Sequence, residues 1–146
     1  MTAQISSWLP VLWRTPKARA IIHVELGRDV KPWLALFRSR RVPTILAINP
    51  TTPIGRLRPW IRHSAGVQVM SVPPGQYGSR WWPGSVARIR NLHHAFPRLL
   101  ISVDGGMDAT TIPRVVQAGA RRIIVGSAVM LQPNPTEAWQ RIRRLV

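Results

Sequence analysis

No cysteine occurs among the 146 residues, which excludes a disulfide scaffold, thiolate metal ligands and cysteine nucleophiles and leaves the redox compartment open. Acidic residues are also scarce: five Asp and Glu stand against 21 Lys and Arg, for a formal charge of +16. Such a surface repels itself unless it faces phosphate, nucleic acid or an acidic partner protein. Only two of the basic residues are Lys. That preponderance of Arg along the whole chain also fits a coding bias, and composition leaves both readings open. Long apolar runs are missing as well. No apolar stretch of about 7–15 residues follows a basic head, and no run approaches about 18 residues, so neither a signal peptide nor a membrane span is predicted. The expectation is a soluble, cytoplasmic protein.

What is present is an alternation of strand and helix signals. Five short apolar runs rich in β-branched residues cover 20–24, 44–48, 67–72, 99–103 and 122–125. Each is nearly continuous, as in strands of a parallel sheet covered on both faces. Helical spacing joins Trp33, Leu34, Leu36 and Phe37; then Leu57, Trp60 and Ile61; then Val86, Ile89, Leu92 and His93; then Ile112, Val115, Val116 and Ala118. A closing helix carries Ala138, Trp139, Ile142 and Leu145, and residues 5–13 read as a helix damaged by Pro10. Asp108 or Thr110 can cap the helix ending at Gly119, with Pro113 in its first turn, and Asn134-Pro135 opens the last helix. The loop from Pro73 to Gly84 is long for a βα connection.

No linker or low-complexity tract divides the chain, so 1–146 reads as one α/β domain with right-handed crossovers. A closed (β/α)8 TIM barrel takes about 250 residues, roughly thirty per unit, so about five units fit. The expectation is a partial barrel, incomplete at its amino terminus. Open strand edges and an unfilled interior would then drive oligomerisation or completion by another chain.

Ligands of βα folds gather at the carboxyl ends of the strands. The polar residues that end the apolar runs are His23 and Glu25, Asn49, Ser71, Asp104, and Gly126-Ser127. His23 reads equally as a core histidine, Asn49-Pro50 as an ordinary turn and Ser71 as a small packing residue. Asp104 stands out because Gly105-Gly106 follows it and lets a ligand approach the backbone. Gly126-Ser127-Ala128, after Ile123-Ile124-Val125, offers amide donors suited to a phosphate. Two sterically required tight turns remain the plainer reading.

In order along the chain, Ile45-Leu46-Ala47-Ile48-Asn49-Pro50-Thr51-Thr52-Pro53, Val69-Met70-Ser71-Val72-Pro73-Pro74-Gly75, Ser102-Val103-Asp104-Gly105-Gly106-Met107 and Val125-Gly126-Ser127-Ala128 form a recognisable series. It resembles the later strands of the ribulose-phosphate 3-epimerase family, and His23-Val24-Glu25 is similar to that family's fourth strand. The resemblance runs from about residue 8 to residue 146 and implies strands four to eight of a ribulose-phosphate-binding barrel. It implies a pentose phosphate substrate, two aspartates exchanging the proton on carbon 3, a place in the pentose phosphate pathway, and a divalent metal (Zn, Fe, Mn or Co) held by two histidines and two aspartates. Of those groups only Asp104 has a counterpart here, as acid/base and metal ligand.

The resemblance further assigns substrate or phosphate contacts to Gly75, Gly78, Gly105, Gly106, Gly126 and Ser127, and makes His23, Asn49, Met70 and Ser71 candidates for the pocket. One loop departs from the family. Pro74-Gly75-Gln76-Tyr77-Gly78-Ser79 stands where the family reads approximately Pro-Gly-Phe-Gly-Gly-Gln, so Tyr77 takes a glycine position and costs space near the phosphate. The expectation is an epimerase-like protein, incomplete or inactive as an isolated chain. The alternative is a non-catalytic basic module for a phosphate-bearing ligand, nucleic acid or an acidic partner. Trp81 and Trp82 beside Arg80 could stack on bases, although their positions equally suit core packing, and no nucleic-acid motif is present. A degenerate copy without function is the third reading.

Overall fold

The computed structural model describes residues 5–73, 75 and 80–146. Five strands, β1 (Ala20–His23), β2 (Thr44–Ile48), β3 (Gly66–Met70), β4 (Ile101–Asp104) and β5 (Arg122–Ile124), form one sheet in sequential order, every pair parallel. Helix α1 (Ile5–Arg14) precedes them; α2 (Val30–Ser39), α3 (Gly84–Ala95) and α4 (Ile112–Gln117) lie in the crossovers; α5 (Ser127–Met130) and α6 (Pro135–Arg143) follow β5. The α/β architecture is therefore the expected one, with the five expected strands.

Successive strand side chains point to opposite faces, and the register sorts the apolar runs into two sets. Ile22, Leu46, Ile48, Val67, Val69, Ile101 and Val103 join Leu34 and Phe37 of α2, Ile89 and Leu92 of α3, and Ile112 and Val115 of α4 in one buried cluster. Each such side chain is worth about 1.5–3 kcal/mol relative to exposure. This burial, more than helix propensity, holds helices as short as α4 in place. The alternate positions, His23, Ala47, Gln68, Met70, Ser102 and Asp104, share the other face by register. Ala47, Gln68, Met70 and Ser102 are buried there too. One face of the sheet is thus core, and the other runs upward into polar residues at the carboxyl ends.

One local expectation is corrected. Residues 57–61 do not form an α-helix; Ile54–Leu57 and Ile61–His63 are separate 3-10 turns. Gly55 weakens a helix and Pro59 lacks the N–H it would need, which breaks the segment. Pro10 lies inside the first helix, as expected, and α1 continues through it to Arg14. The bond lost at Pro10 is offset by Leu9, Leu12 and Trp13, which pack on the core, Trp13 edge-on to Phe37 at 5.9 Å. Asp108, rather than Thr110, caps the approach to α4: its Oδ1 accepts from the amides of Thr110 and Thr111, each at 2.9 Å. Asn134 caps α6 as expected, accepting from the Glu137 amide at 3.2 Å. Among the described residues no helix is long and apolar enough to cross a membrane.

Candidate functional site

Asp104 is the last residue of β4, paired in register with Met70 at the end of β3. Two residues earlier on the same face, the buried Gln68 donates from Nε2 to Asp104 Oδ2 at 3.3 Å and fixes that oxygen. Gln68 is a site residue that the strand pattern passed over; its signal was a lone amide within an otherwise apolar run. Ser71, just past β3, is fully buried and ties the two strand ends together. Its amide donates to the Asp104 carbonyl at 2.8 Å, and its hydroxyl lies 2.9 Å from that carbonyl and 2.6 Å from the Gly105 carbonyl. Ser71 therefore orients the turn that carries Asp104, and its one hydroxyl proton is spent on that scaffold.

Burial holds the Asp104 carboxyl above the ordinary aspartate range, and a hydrogen bond from the Gly105 amide only partly opposes it. The folded chain thus binds this proton more tightly than the unfolded chain does. Stability falls as pH rises from the unfolded pKa through the folded one, and the cost persists at neutral pH. Asp104→Asn, which keeps an acceptor for Gln68, is expected to melt above the wild type at about pH 7 and level with it at about pH 3. Identical melting at both would show that the ionised carboxylate is not held at a cost.

Gly105 and Gly106 leave β4 with φ of +105° and +61°, a left-handed path that other residues rarely take. At the end of the neighbouring strand, Gly126 and Ser127 make the turn from β5 into α5. Among the described residues the amides of Gly106, Gly126 and Ser127 have no acceptor outside helix and strand. Two paired strands thus each end in N–H donors without an acceptor among the described residues. Gly75 is described with φ of +79°, whereas Gly78 and Tyr77 lie outside the described residues.

A second polar group occupies the ends of β1 and β2. His23 closes β1, and its Nδ1 lies 3.3 Å from Glu25 Oε2 with about a third of the side chain exposed, so it is not a core histidine. The Asn49 amide donates to Glu25 Oε1 at 2.9 Å. Arg88 of α3 reaches over to donate to the carbonyls of Asn49 and Thr52. Burial alone would raise the Glu25 pKa, but hydrogen bonds from Thr52 and the Asn49 amide, with the charge of His23, hold it below the usual carboxylate range. Burial lowers the Arg88 pKa, opposed by the charge of Glu25. Asn49 Oδ1 and Arg88 Nε are buried without a partner among the described residues. Thr52 and Arg88 escaped the sequence reading because their role depends on contacts between distant segments.

The described residues do not form the metal site that the resemblance implies. Among them no three or more His, Cys, Asp or Glu side chains converge. The Asp104 carboxylate has an amide donor beside it, not a second carboxylate or an imidazole. Trp81 packs partly against the core beneath Arg114, 4.7 Å from its ring, while Trp82 is 37% exposed under Arg88. Packing thus accounts for Trp81, and of the two Trp82 offers the more open indole.

The model of a family described as "Ribulose-phosphate 3 epimerase family" matches residues 1–130. Among curated proteins, ribulose-phosphate 3-epimerase of Eremothecium gossypii is 31% identical over 88% of this chain and 54% of its own length. The cytoplasmic isoform of ribulose-phosphate 3-epimerase from Oryza sativa subsp. japonica is 28% identical over 100% of this chain and 66% of its own length. The chain thus spans about half to two thirds of the length of these relatives. Among solved structures, 3-hexulose-6-phosphate synthase from Salmonella typhimurium aligns with a TM-score of 0.74 at 14% identity, over 99% of this chain and 68% of that one. Orotidine 5'-monophosphate decarboxylase from Sulfolobus solfataricus aligns with a TM-score of 0.71 at 16% identity, over 97% and 66%. At such identities the likeness is one of fold, that of the (β/α) barrels.

Proposed function

Because the chain belongs to the ribulose-phosphate 3-epimerase family, we propose that it binds a pentose phosphate at the carboxyl ends of β3 to β5. The phosphate sits on the amides of Gly106, Gly126 and Ser127, and the sugar lies toward Asp104, Met70 and Ser71. The observation that carries this reading is the pair of neighbouring turns whose amides lack acceptors among the described residues.

Removing the proton from carbon 3, beside the carbonyl, needs a positioned base, an acid on the opposite face and stabilisation of the enediolate. Asp104, its pKa raised by burial and its Oδ2 held by Gln68, suits the first role. It cannot also fill the other two. The reading is therefore an epimerase-family protein that binds the substrate without interconverting it unaided. With Zn, Mn, Fe or Co added in turn, the chain should neither exchange the carbon-3 proton of ribulose 5-phosphate for deuterium nor form its 3-epimer. Metal-dependent turnover that disappears in Asp104→Asn would overturn this.

Association with further polypeptide belongs to the same reading. Exposed apolar side chains flank both sheet edges, Ile21 on β1 and Met130 and Leu131 after β5, and support contact with a second copy or another chain. A cytoplasmic setting, as named for the rice relative, is included in the proposal.

A further inference from the structure

The sheet is electrically polarised along its strands. Four of the five acids, Glu25, Asp29, Asp104 and Asp108, stand at or after the carboxyl ends of β1 and β4. The amino ends carry the opposite sign. An exposed arginine stands within four residues before every strand: Arg19 before β1, Arg41 before β2, Arg62 before β3, Arg98 before β4 and Arg121 before β5. Parallel strands lie about 4.8 Å apart, so this row runs for roughly 19 Å along one edge of the molecule. Among the described residues the sole ion pair joins His23 and Glu25, so none of these arginines is neutralised by a carboxylate there.

The row has a recess. Arg38, Arg41, Arg62 and His63 line a cleft of about 380 Å³ between the end of α2 and the approach to β3, with Leu34, Val42 and Pro43 as its apolar wall. No acid lines it. The hydroxyl donors at its edge are already committed, Ser64 to the Ile61 carbonyl at 2.9 Å and Thr44 to the Val42 carbonyl at 3.4 Å. Guanidinium and imidazole groups are therefore the donors left for a ligand. The dipole of α2 accounts for one cation in its last turn, such as Arg38. It does not account for Arg62 and His63, which belong to another segment, or for Arg41, which lies beyond the helix in a left-handed conformation with φ of +55°. A glycine would take that conformation freely.

We propose that the amino-end edge of the sheet binds the phosphodiester backbone of a single-stranded nucleic acid, at the end opposite the sugar-phosphate site and independently of it. A continuous run of arginines suits successive phosphates, which guanidinium forks bind bidentately. The apolar wall of the cleft gives an unpaired base a surface to lie on, which favours a single strand over a duplex.

The test is the binding of a 12-nucleotide oligothymidylate across a salt series. The triple variant Arg41→Gly, Arg62→Gln, Arg98→Gln is compared with a control, Arg90→Gln, Arg141→Gln, Arg143→Gln, which removes the same charge from exposed helical positions on α3 and α6. Arg41→Gly alone is the variant least able to harm folding, since it relieves the backbone. The edge variant is expected to lose about tenfold or more in affinity at low salt and to show a salt slope shallower by about 2, while the control loses less than about threefold. Arg41→Gly alone should lose a measurable part of the affinity with no loss of melting temperature. Equal losses in the two triple variants, no binding by the wild type, or equally tight binding of polyglutamate of similar length would each overturn the proposal.

Discussion

Gly105→Ala is expected to destabilise the chain by about 2–4 kcal/mol, a large share of the 5–15 kcal/mol that usually holds a domain together. A Cβ on Gly105 would stand 2.4 Å from Val72 Cγ2 and 3.0 Å from the Val72 amide nitrogen. The second contact is with backbone, which cannot rotate away. The φ of +105° adds a cost that no rearrangement of neighbours removes. Val72 follows Ser71, which pins the exit of β3 to the carbonyls of Asp104 and Gly105, so relief in either direction pulls on the Asp104 turn. Gly55→Ala is the matched control, since nothing lies within 4 Å of the Cβ it would add. Urea unfolding should separate the two variants widely, and coincident midpoints would show that the turn after β4 is not as close-packed as described.

Glu25→Ala carries the second large effect, a loss of about 1–3 kcal/mol. Its carboxylate accepts the Asn49 amide at 2.9 Å and faces His23 at 3.3 Å, so one side chain joins the segments that follow β1 and β2. Removing it leaves the Asn49 amide without its acceptor and Arg88, whose burial already disfavours its charge, without the carboxylate that offsets it. Glu25→Gln retains an acceptor and should lose less. Because the folded pKa of Glu25 lies below the ordinary glutamate value, its contribution is present above the unfolded pKa and is lost as pH falls through the folded one. The wild type and Glu25→Ala should therefore differ at neutral pH and converge in acid. A gap that persists unchanged in acid would assign the loss to packing alone.

The strands were legible because burial on both sides leaves an almost continuous apolar run, and β2 is recovered over 44–48 as expected. Two runs shift instead: 67–72 becomes Gly66–Met70, and 99–103 becomes Ile101–Asp104. The loop entry claims Ser71 and Val72, and the ladder takes in Asp104. Spacing alone misled at 57–61, where an apolar face exists but Gly55 and Pro59 deny the backbone its bonds. At Pro10 the helical reading holds, since packing on the core outweighs one missing hydrogen bond. At the site, Asp104, Gly105 and Ser71 could be placed because each ends or follows an apolar run. Arg88 could not, because its partners at Asn49 and Thr52 lie 39 and 36 residues away in sequence and only the fold brings them together.

We propose that the turns after β4 and β5 seat the phosphate of a pentose phosphate. The most direct test is calorimetric titration of ribulose 5-phosphate into the wild type and Gly126→Val, with thermal melting as a check that both are folded. Gly126 adopts φ of −112° and ψ of −94° at the head of α5, and in the proposed seat a valine there sets bulk next to the Ser127 amide. Saturable binding to the wild type and none to the variant is expected, while oligothymidylate binding at the far end of the strands is the same for both. Equal binding of ribulose 5-phosphate by the two proteins, or no binding by a folded wild type, would contradict it.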